Sequence, residues 1–192
     1  MAAICIIQGH PHAANAHLCH ALAMAYAEGA EAAGHKVVLI NIAELDFPLL
    51  RNPADLEQPP LPVIDVAQEA IRACEHLVII YPLWLGGAPA LMKGFFEQLA
   101  CNGFLVANSE RGWPRKMLKG RSARLIVTMG MPAIGYRLLF GAYGVRGFAS
   151  CVLGLAGFRP IRQTLIGGTG ILSAKAAMAW LGKVRRLGTA AL

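Results

Sequence analysis

The sequence predicts an α/β fold in which a parallel sheet carries helices on both faces. Segments with strand character alternate with helical segments five times along the chain, the pattern of parallel strands joined by crossover helices. The central run, His76 to Tyr81, is apolar after its first residue and rich in β-branched residues, as expected for a strand covered on both faces. With 192 residues, 56% of them hydrophobic, the chain can bury a substantial core, and we expect one domain spanning residues 1–192.

The first part of the chain has the pattern of a βαβ unit. Ala3 to Gln8 is the first apolar run, and GHPHAANAH after it interrupts regular structure before an alanine-rich helix. Gly34 suits the C-terminal cap of that helix, and HKVVLIN predicts the second strand. Leu49 to Pro62 predicts a surface loop, and Val63 to Cys74 has helical spacing.

The third strand leads into a loop and a helix. The strand ends at Pro82, because the segment PLWLGGAP combines prolines that lack an N–H donor with paired glycines that favour open backbone angles. Pro89 suits the first turn of a helix whose apolar residues recur about every fourth position, namely Leu91, Phe95 and Leu99.

The remaining chain adds two strands and two helices. The basic segment CNGFLVANSERGWPRKMLKGRSA is irregular, and Arg124 to Thr128 is the fourth strand, which opens into the loop MGMPAIGY. We expect a helix from Arg146 to Leu155 ending near Gly157, a fifth strand over Ile161 to Ile166, and a final amphipathic helix from Ser173 to about Leu187.

The net charge of +7 favours an anionic partner, which could be dinucleotide phosphates, an acidic membrane surface or nucleic acid. Because no stacking or groove-reading motif is present, we expect no nucleic-acid partner, whereas peripheral association with a membrane stays open. A local basic cluster has the composition of a solvated loop; it consists of Arg111, Arg115, Lys116, Lys119, Arg121 and Arg124.

The five cysteines are widely scattered and form no CxxC motif, so neither a disulfide framework nor a zinc ribbon is expected. The mean hydropathy is high, +0.48, yet no apolar stretch approaches the roughly 20 residues of a membrane-spanning helix. The first residues lack the basic segment and cleavage site of a secretory leader. We therefore expect a cytoplasmic protein.

Three loops are expected to meet at the carboxyl edge of the sheet, where open parallel sheets bind ligands. They are the loops after the first strand (His10 to Leu18), after the third strand, and after the fourth strand (Met129 to Tyr136). The four histidines between His10 and His20 could also indicate a metal site, but HExxH is absent and phosphate binding explains them equally well. Neither GxGxxG nor GxxxxGK[ST] occurs, so we expect no separate nicotinamide-binding domain and no metal.

The segment YPLWLGGAPALMKGFFEQL closely resembles the PLxWxxxPAxLKGxxDR-type signature of the NAD(P)H:quinone oxidoreductases. The resemblance covers nearly the whole chain, with GHP, LDFPLL and VTMGMPAIGY in the same order. It implies a flavodoxin-like three-layer sandwich whose five parallel strands have the order 2-1-3-4-5. It also implies an NAD(P)H dehydrogenase that passes two electrons through FAD, with FMN as the alternative, to a quinone or a similar planar acceptor in a ping-pong cycle.

The resemblance assigns two loops to the flavin ring. After the third strand, the residues that match the family's backbone contacts are Pro82, Leu83, Trp84, Leu85 and Gly86. After the fourth strand, they are Thr128, Met129, Gly130 and Met131. A tyrosine that positions quinone and nicotinamide corresponds to Tyr136, which we expect to donate a hydrogen bond to the acceptor. Where vertebrate members add a histidine this chain has Ala142, and Tyr143 is a candidate substitute.

The resemblance assigns the first loop to the flavin phosphates. His10 matches the family's histidine, whereas a Ser-Phe-Asn sequence of the family is replaced here by His17, Leu18 and Cys19. The loop is longer than usual, so His12 and Asn15 are further candidates to bind the same anion.

Family members usually pair across the flavin site, and the apolar region from Leu138 to Phe158 predicts such a homodimer. Two other functions remain open. A flavodoxin-type electron carrier is disfavoured by the basic charge and by the lack of a hydroxyl-rich phosphate loop. A flavin-binding regulatory subunit of a membrane transporter is compatible with the basic surface.

Overall fold

The computed structural model describes residues 1–14, 17–109 and 112–192. Five parallel strands form the central sheet: β1 Ala3–Gln8, β2 Lys36–Asn41, β3 His76–Pro82, β6 Ser122–Thr128 and β7 Ile161–Ile166. Their spatial order is β2-β1-β3-β6-β7. Two short strands, β4 Val106–Ala107 and β5 Arg115–Lys116, form a separate antiparallel pair. Counted without that pair, the sheet has the predicted order 2-1-3-4-5, which is confirmed.

Helices cover both faces of the sheet, as predicted. One face packs against α1 Leu18–Ala32 and α6 Ala174–Thr189, and the other against α2 Pro62–Ala73 and α3 Ala90–Leu99. The central strand β3 explains the uninterrupted apolar run, because its alternate residues enter the two cores: Leu77, Ile79 and Tyr81 on one side and Val78 and Ile80 on the other.

Most predicted boundaries agree with the structure to within about two residues. Helix α1 ends at Ala32, and Gly34 follows with φ +79°, the left-handed conformation typical of a helix C-terminus. The strand Ile161–Ile166 has the predicted limits. The final helix starts after Ser173, whose hydroxyl accepts a hydrogen bond from the N–H of Ala176.

The prediction of a loop through MGMPAIGY is wrong in part, because this segment enters helix α4, Ala133–Leu139. The helix after it also starts earlier than predicted, at α5 Tyr143–Gly147, and continues as a π-helical segment over Phe148–Gly154. The reason is visible in α4, where only Tyr136 is buried. A helix that buries one side chain has no apolar periodicity to reveal it.

The predicted basic loop is not wholly irregular, since it contains β4 and β5, which are too short for a strand pattern to show. Its Arg111 lies outside the described residues. Four cysteines are buried and Cys151 is exposed. Within the described ranges, no helix is long and apolar enough to cross a membrane.

Candidate functional site

The loop after β3 forms a tight turn at the carboxyl edge of the sheet. Trp84 and Gly87 exchange both backbone hydrogen bonds, N–H to O in each direction at 3.0 Å. The two residues between them have positive φ, +47° at Leu85 and +82° at Gly86, which is characteristic of a type I′ turn. The Leu85 side chain is fully exposed.

Tyr136 of α4 holds this turn in place through hydrogen bonds. Its side chain is 2% exposed, and its hydroxyl donates a hydrogen bond of 2.9 Å to the carbonyl of Gly86 and accepts one of 3.4 Å from the N–H of Val145. Gly144 makes the close approach possible, because a Cβ there would lie 1.9 Å from the Gly86 oxygen. The shape of the turn is therefore set by α4 and α5.

The loops after β6 and β7 are tied to one another and to β3. The N–H of Leu83 donates to the carbonyl of Thr128 at 2.7 Å, which keeps the ends of β3 and β6 in register. The carbonyl of Met129 accepts from the N–H of Thr169, and the carbonyl of Met131 accepts from the N–H of Gly168. The backbone of residues 129–131 is thus held by hydrogen bonds on the side facing β7.

A cavity of about 590 Å³ lies between the turn, the loop after β6 and the helices α4 and α5. Its size falls within the range of roughly 300 to 1,000 Å³ typical of small-molecule sites. The walls are mainly apolar side chains and exposed backbone; they consist of Leu83, Leu85, Gly86, Met129, Gly130, Met131, Tyr136, Phe140, Tyr143 and Gly144. Such a cavity suits a planar apolar molecule that also accepts hydrogen bonds from backbone.

Four histidines cluster beside this cavity, at the start of α1. The rings of His10 and His17 stack with centroids 3.9 Å apart, and His20 lies 5.5 Å from His10 and 5.8 Å from His17. The ring nitrogens His12 Nδ1 and His17 Nε2 are 2.9 Å apart and share a hydrogen bond. We call these residues the imidazole cluster. Trp84 links the cluster to the turn that borders the cavity, because its ring meets that of His10 edge-on at 6.0 Å and its backbone pairs with Gly87.

Burial and the neighbouring imidazoles lower the pKa values of two members of the imidazole cluster, His10 and His20. Burial lowers the pKa of His10, and the neighbouring charges of His17 and His20 lower it further. His10 Nδ1 accepts from the N–H of His12 at 3.1 Å, so Nε2 of a neutral His10 carries the hydrogen. Burial likewise lowers the pKa of His20, followed by repulsion from His17 and His12, with Glu44 acting in the opposite direction.

The cluster also lies at a helix N-terminus that favours anions. The first turn of α1 has no acidic residue, and His17 at the N-cap makes no side-chain capping hydrogen bond. The first N–H groups of an α-helix have no intrahelical acceptors, and together with the helix dipole they attract negative charge. Among the residues that the structure describes, no group of three histidine, cysteine or acidic side chains is arranged to hold a metal ion.

The predicted site residues thus fall into two neighbouring groups. Those predicted for the flavin ring line the cavity, except that Pro82 and Thr128 are buried strand ends and Trp84 lies at its border. His10, His12 and His17 form the imidazole cluster with the start of α1, where the Leu18 side chain packs into the core. Asn15 lies outside the described residues.

One expectation about an individual side chain needs correction. Tyr136 belongs to a helix rather than a loop, and its hydroxyl hydrogen points to the Gly86 carbonyl rather than into the cavity. Cys19, to which the sequence assigned no role, is buried, and its Sγ contacts Thr128 Oγ1 at 3.2 Å, so it joins α1 to β6.

Sequence reasoning missed Phe140 and Gly144, which line the cavity. His20 belongs to the group of four histidines noted in the sequence, and its spacing of three positions from His17 at a helix start agrees with the contact of their rings.

A family model described as flavodoxin-like fold matches residues 2–187. The chain belongs to this family. It is 25% identical over 136 residues to an uncharacterized NAD(P)H oxidoreductase of Haemophilus influenzae, a match covering 69% of this chain and 66% of the relative. It is 29% identical over 105 residues to the FMN-dependent NADH:quinone oxidoreductase 1 of a Jannaschia species, covering 55% of this chain and 52% of the relative. The matches therefore span less than two thirds of either relative.

The fold also resembles solved structures. The NAD(P)H:quinone oxidoreductase of Methanothermobacter marburgensis superposes with a TM-score of 0.78 at 20% identity, covering 97% of this chain and 96% of that one. The names of these proteins agree with the family whose signature the sequence resembles, and the predicted family resemblance is confirmed.

Proposed function

We propose that this protein is a flavin-dependent NAD(P)H oxidoreductase that reduces a quinone or a similar planar acceptor. The observation that carries the proposal is the pairing of an apolar cavity with an imidazole cluster at one edge of the sheet, joined through Trp84. A flavin mononucleotide combines a planar ring with a phosphate, and these two sites match its two ends. The names of the Haemophilus and Jannaschia relatives support the same reaction class.

Of the two flavins, FMN is the better candidate. The resemblance put FAD first, but the Jannaschia relative is named as FMN-dependent, and the order is reversed accordingly. In this proposal the turn at Leu85 and Gly86 and the loop over residues 129–131 hold the flavin ring. His10, His17 and the first N–H groups of α1, beginning at Leu18, hold the phosphate.

A bound flavin would supply the hydride chemistry, and the chain supplies orientation, hydrogen bonds and exclusion of water. Leu83, Met129 and Phe140 form apolar walls that keep water from the reacting face. Because the described residues offer a single cavity beside the turn, NAD(P)H and the acceptor would bind there in succession. This predicts ping-pong kinetics.

We propose that Tyr136 positions the turn and that Tyr143 donates a hydrogen bond to the acceptor. The hydroxyl of Tyr136 is occupied by Gly86, whereas Tyr143 lines the cavity and is 76% exposed. An exposed phenol can donate a hydrogen bond to an acceptor that enters from solvent. Tyr143 follows directly after Ala142, the position at which the vertebrate enzymes carry histidine.

Purified protein reconstituted with FMN and mixed anaerobically with NADH or NADPH tests the proposal directly. We expect the flavin absorption bands to bleach with the reduced nicotinamide and to return when a benzoquinone is added. Protein that binds no flavin, or whose bound flavin is reduced by neither nucleotide, would contradict the proposed function.

A further inference from the structure

His20 is the member of the imidazole cluster that no protein group satisfies. Its side chain is only 5% exposed, and neither Nδ1 nor Nε2 has a hydrogen-bond partner among the described residues. A buried polar group without a partner is destabilising, and such groups in folded proteins usually meet a ligand, an ion or water. A bound molecule that reached these two nitrogens would remove that cost.

The polar and charged groups around His20 favour a negatively charged ligand. The rings of His10 and His17 lie within 5.8 Å, and His12 is hydrogen-bonded to His17. The acidic group facing His20 is Glu44, which follows β2 and whose carboxylate accepts from the side-chain amide of Asn41 at 2.7 Å. The start of α1 adds backbone N–H donors on the same side. The backbone N–H donors and the imidazoles that can carry a positive charge thus outnumber the one carboxylate described here, that of Glu44.

We infer that His20 is a ligand of the flavin phosphate, and that the imidazole cluster takes up protons from solvent when a phosphate monoester binds. This inference rests on the proposed function for the identity of the flavin. An imidazole nitrogen gains the proton and then donates it in a hydrogen bond to a phosphate oxygen. The proton arrives from water, and no bond of the phosphate breaks.

The physical reason is a change in electrostatic balance. Without ligand, burial and mutual repulsion keep the pKa values of His10 and His20 below the ordinary range, so these rings are mainly neutral at pH 7. A monoester phosphate carries between about one and a half and two negative charges, which offset the repulsion and raise those pKa values. Each bridging phosphate of FAD carries only one negative charge, so a cluster that faces a single phosphate would gain less protonation from FAD than from FMN.

Calorimetric titration of the apoprotein with FMN, in two buffers of different ionisation enthalpy, measures the protons bound. We expect net proton uptake near pH 7 with FMN and none with riboflavin, which lacks the phosphate. His20→Leu, which removes both nitrogens at similar volume, is expected to weaken FMN binding about tenfold, to reduce proton uptake and to leave riboflavin affinity unchanged.

The stability of the apoprotein separates this role from a structural one. Because His20→Leu removes unpartnered buried nitrogens, the thermal midpoint of the variant should equal or exceed that of the wild type. His35→Leu is the control, since His35 lies beyond the far end of α1, where Nδ1 accepts from the N–H of Ala2. That variant should keep wild-type FMN affinity and proton uptake.

Titration of the apoprotein with inorganic phosphate tests the inference without a flavin. The readout is the histidine ring signals in NMR spectra. Signals that disappear in His20→Leu identify His20, and we expect them to shift towards the protonated form as phosphate is added. If the protein binds no flavin, the proposed function fails while this titration still decides the role of His20. Unshifted His20 signals, FMN binding without proton uptake, or an equal loss of FMN and riboflavin affinity in His20→Leu would overturn the inference.

Discussion

Tyr136 and Tyr143 line the same cavity in opposite environments, which makes their roles separable. Tyr136→Phe removes a partly buried hydrogen bond to the Gly86 carbonyl, so we expect the free energy of unfolding to fall by about 1 kcal/mol and flavin retention to weaken. The rate at which the remaining reduced flavin reduces quinone should stay near wild type. Thermal unfolding and stopped-flow measurement of the two half-reactions provide the readouts.

Tyr143→Phe is the matched variant, because the same hydroxyl is deleted from an exposed phenol. Stability and flavin content should be unchanged, while kcat/KM for quinone falls. A loss of about tenfold would correspond to about 1.4 kcal/mol of transition-state stabilisation. The reverse pattern, with quinone reduction lost selectively in Tyr136→Phe at full stability, would restore Tyr136 as the catalytic donor.

Gly86 and Gly87 are neighbours with different backbone conformations. A Cβ at either position would meet no atom within 4 Å, but only Gly86 has a positive φ, +82°. Gly86→Val should therefore destabilise the turn by about 1 to 3 kcal/mol and impair flavin retention, whereas Gly87→Val should be tolerated by the fold. Urea unfolding and flavin titration of both variants measure this. Equal behaviour of the two variants would show that backbone angle is not the reason for glycine.

The residues found from sequence are those that belong to a local motif. The segment PLWLGGAP marks the loop after β3 because proline and paired glycines exclude a strand wherever they occur. Phe140 and Gly144 could not be found this way, because their importance depends on contacts with distant parts of the chain. Gly144, for example, is required by the Gly86 carbonyl, 58 positions away in sequence but in contact in the fold.

Among the structural elements, the turn after β3 has a strained backbone conformation. This strain does not stabilise the isolated chain. Leu85 has φ +47°, a conformation that an ordinary side chain adopts at a cost of about 1 kcal/mol or more, and its side chain is fully exposed at the cavity. Type I′ turns favour Asn-Gly at their centre, and this chain has Leu-Gly. We attribute the presence of a leucine at this position to contact of its side chain with a ligand or with a second subunit.

Leu85→Asn tests this interpretation. The substitution creates the favoured turn sequence, so we expect the thermal midpoint of the apoprotein to rise and the affinity for flavin or for the second subunit to fall. Leu49→Asn, at another exposed leucine that is outside the cavity, is the control for loss of apolar surface. A stabilised variant with unchanged flavin and subunit affinity would leave the leucine without a function.

Element prediction succeeded where burial leaves a periodic pattern in the sequence, as in β3 and the amphipathic α6, and failed where it leaves none. Strand β3 is apolar throughout because both faces are covered, and its sequence shows this directly. Helix α4 exposes Ile134, Leu138 and Leu139, so its hydrophobic residues do not follow the period of a buried helix face. The exposed apolar residues that made α4 difficult to predict are informative, because a group of such side chains on the surface indicates a contact surface.

At the scale of the whole molecule, His76 links stability to pH. It lies at the start of β3, is buried, and its Nδ1 is 2.7 Å from Ser122 Oγ. Burial, followed by the charges of Arg124 and Arg162, lowers the pKa of His76 from 6.5 to about 4. Between these values the unfolded chain binds more protons at this residue than the folded chain does, so the free energy of unfolding decreases as pH falls through that window.

His76→Asn removes the titration and places an amide near the position of Nδ1. We expect urea unfolding of the wild type to become easier between about pH 6.5 and pH 4, and the variant to lose less stability over the same interval. His35→Asn should behave as the wild type, which controls for removal of a histidine as such. Identical pH dependence in all three proteins would mean that His76 does not govern acid stability.

A group of exposed apolar side chains borders the candidate site. Leu138 and Leu139 are 77% and 80% exposed, and Phe140 and Tyr143 beside them are also exposed and line the cavity. A patch of this kind next to a cofactor site suits a symmetric interface, in which each subunit closes the cavity of the other. We therefore propose a homodimer formed through α4 and the start of α5.

Leu138→Glu combined with Leu139→Glu places two charges in the proposed interface. We expect the wild type to sediment as a dimer at micromolar concentration, burying roughly 2,000 Å² or more, and the double variant to sediment as a monomer that retains flavin poorly. Val66→Glu, at a similarly exposed position on α2, should remain dimeric and flavin-bound. Because α4 exposes these leucines already, the monomeric variant should keep its thermal stability when unliganded. A monomeric wild type would rule out the interface, and a dimer that survives the double substitution would place it elsewhere on the molecule.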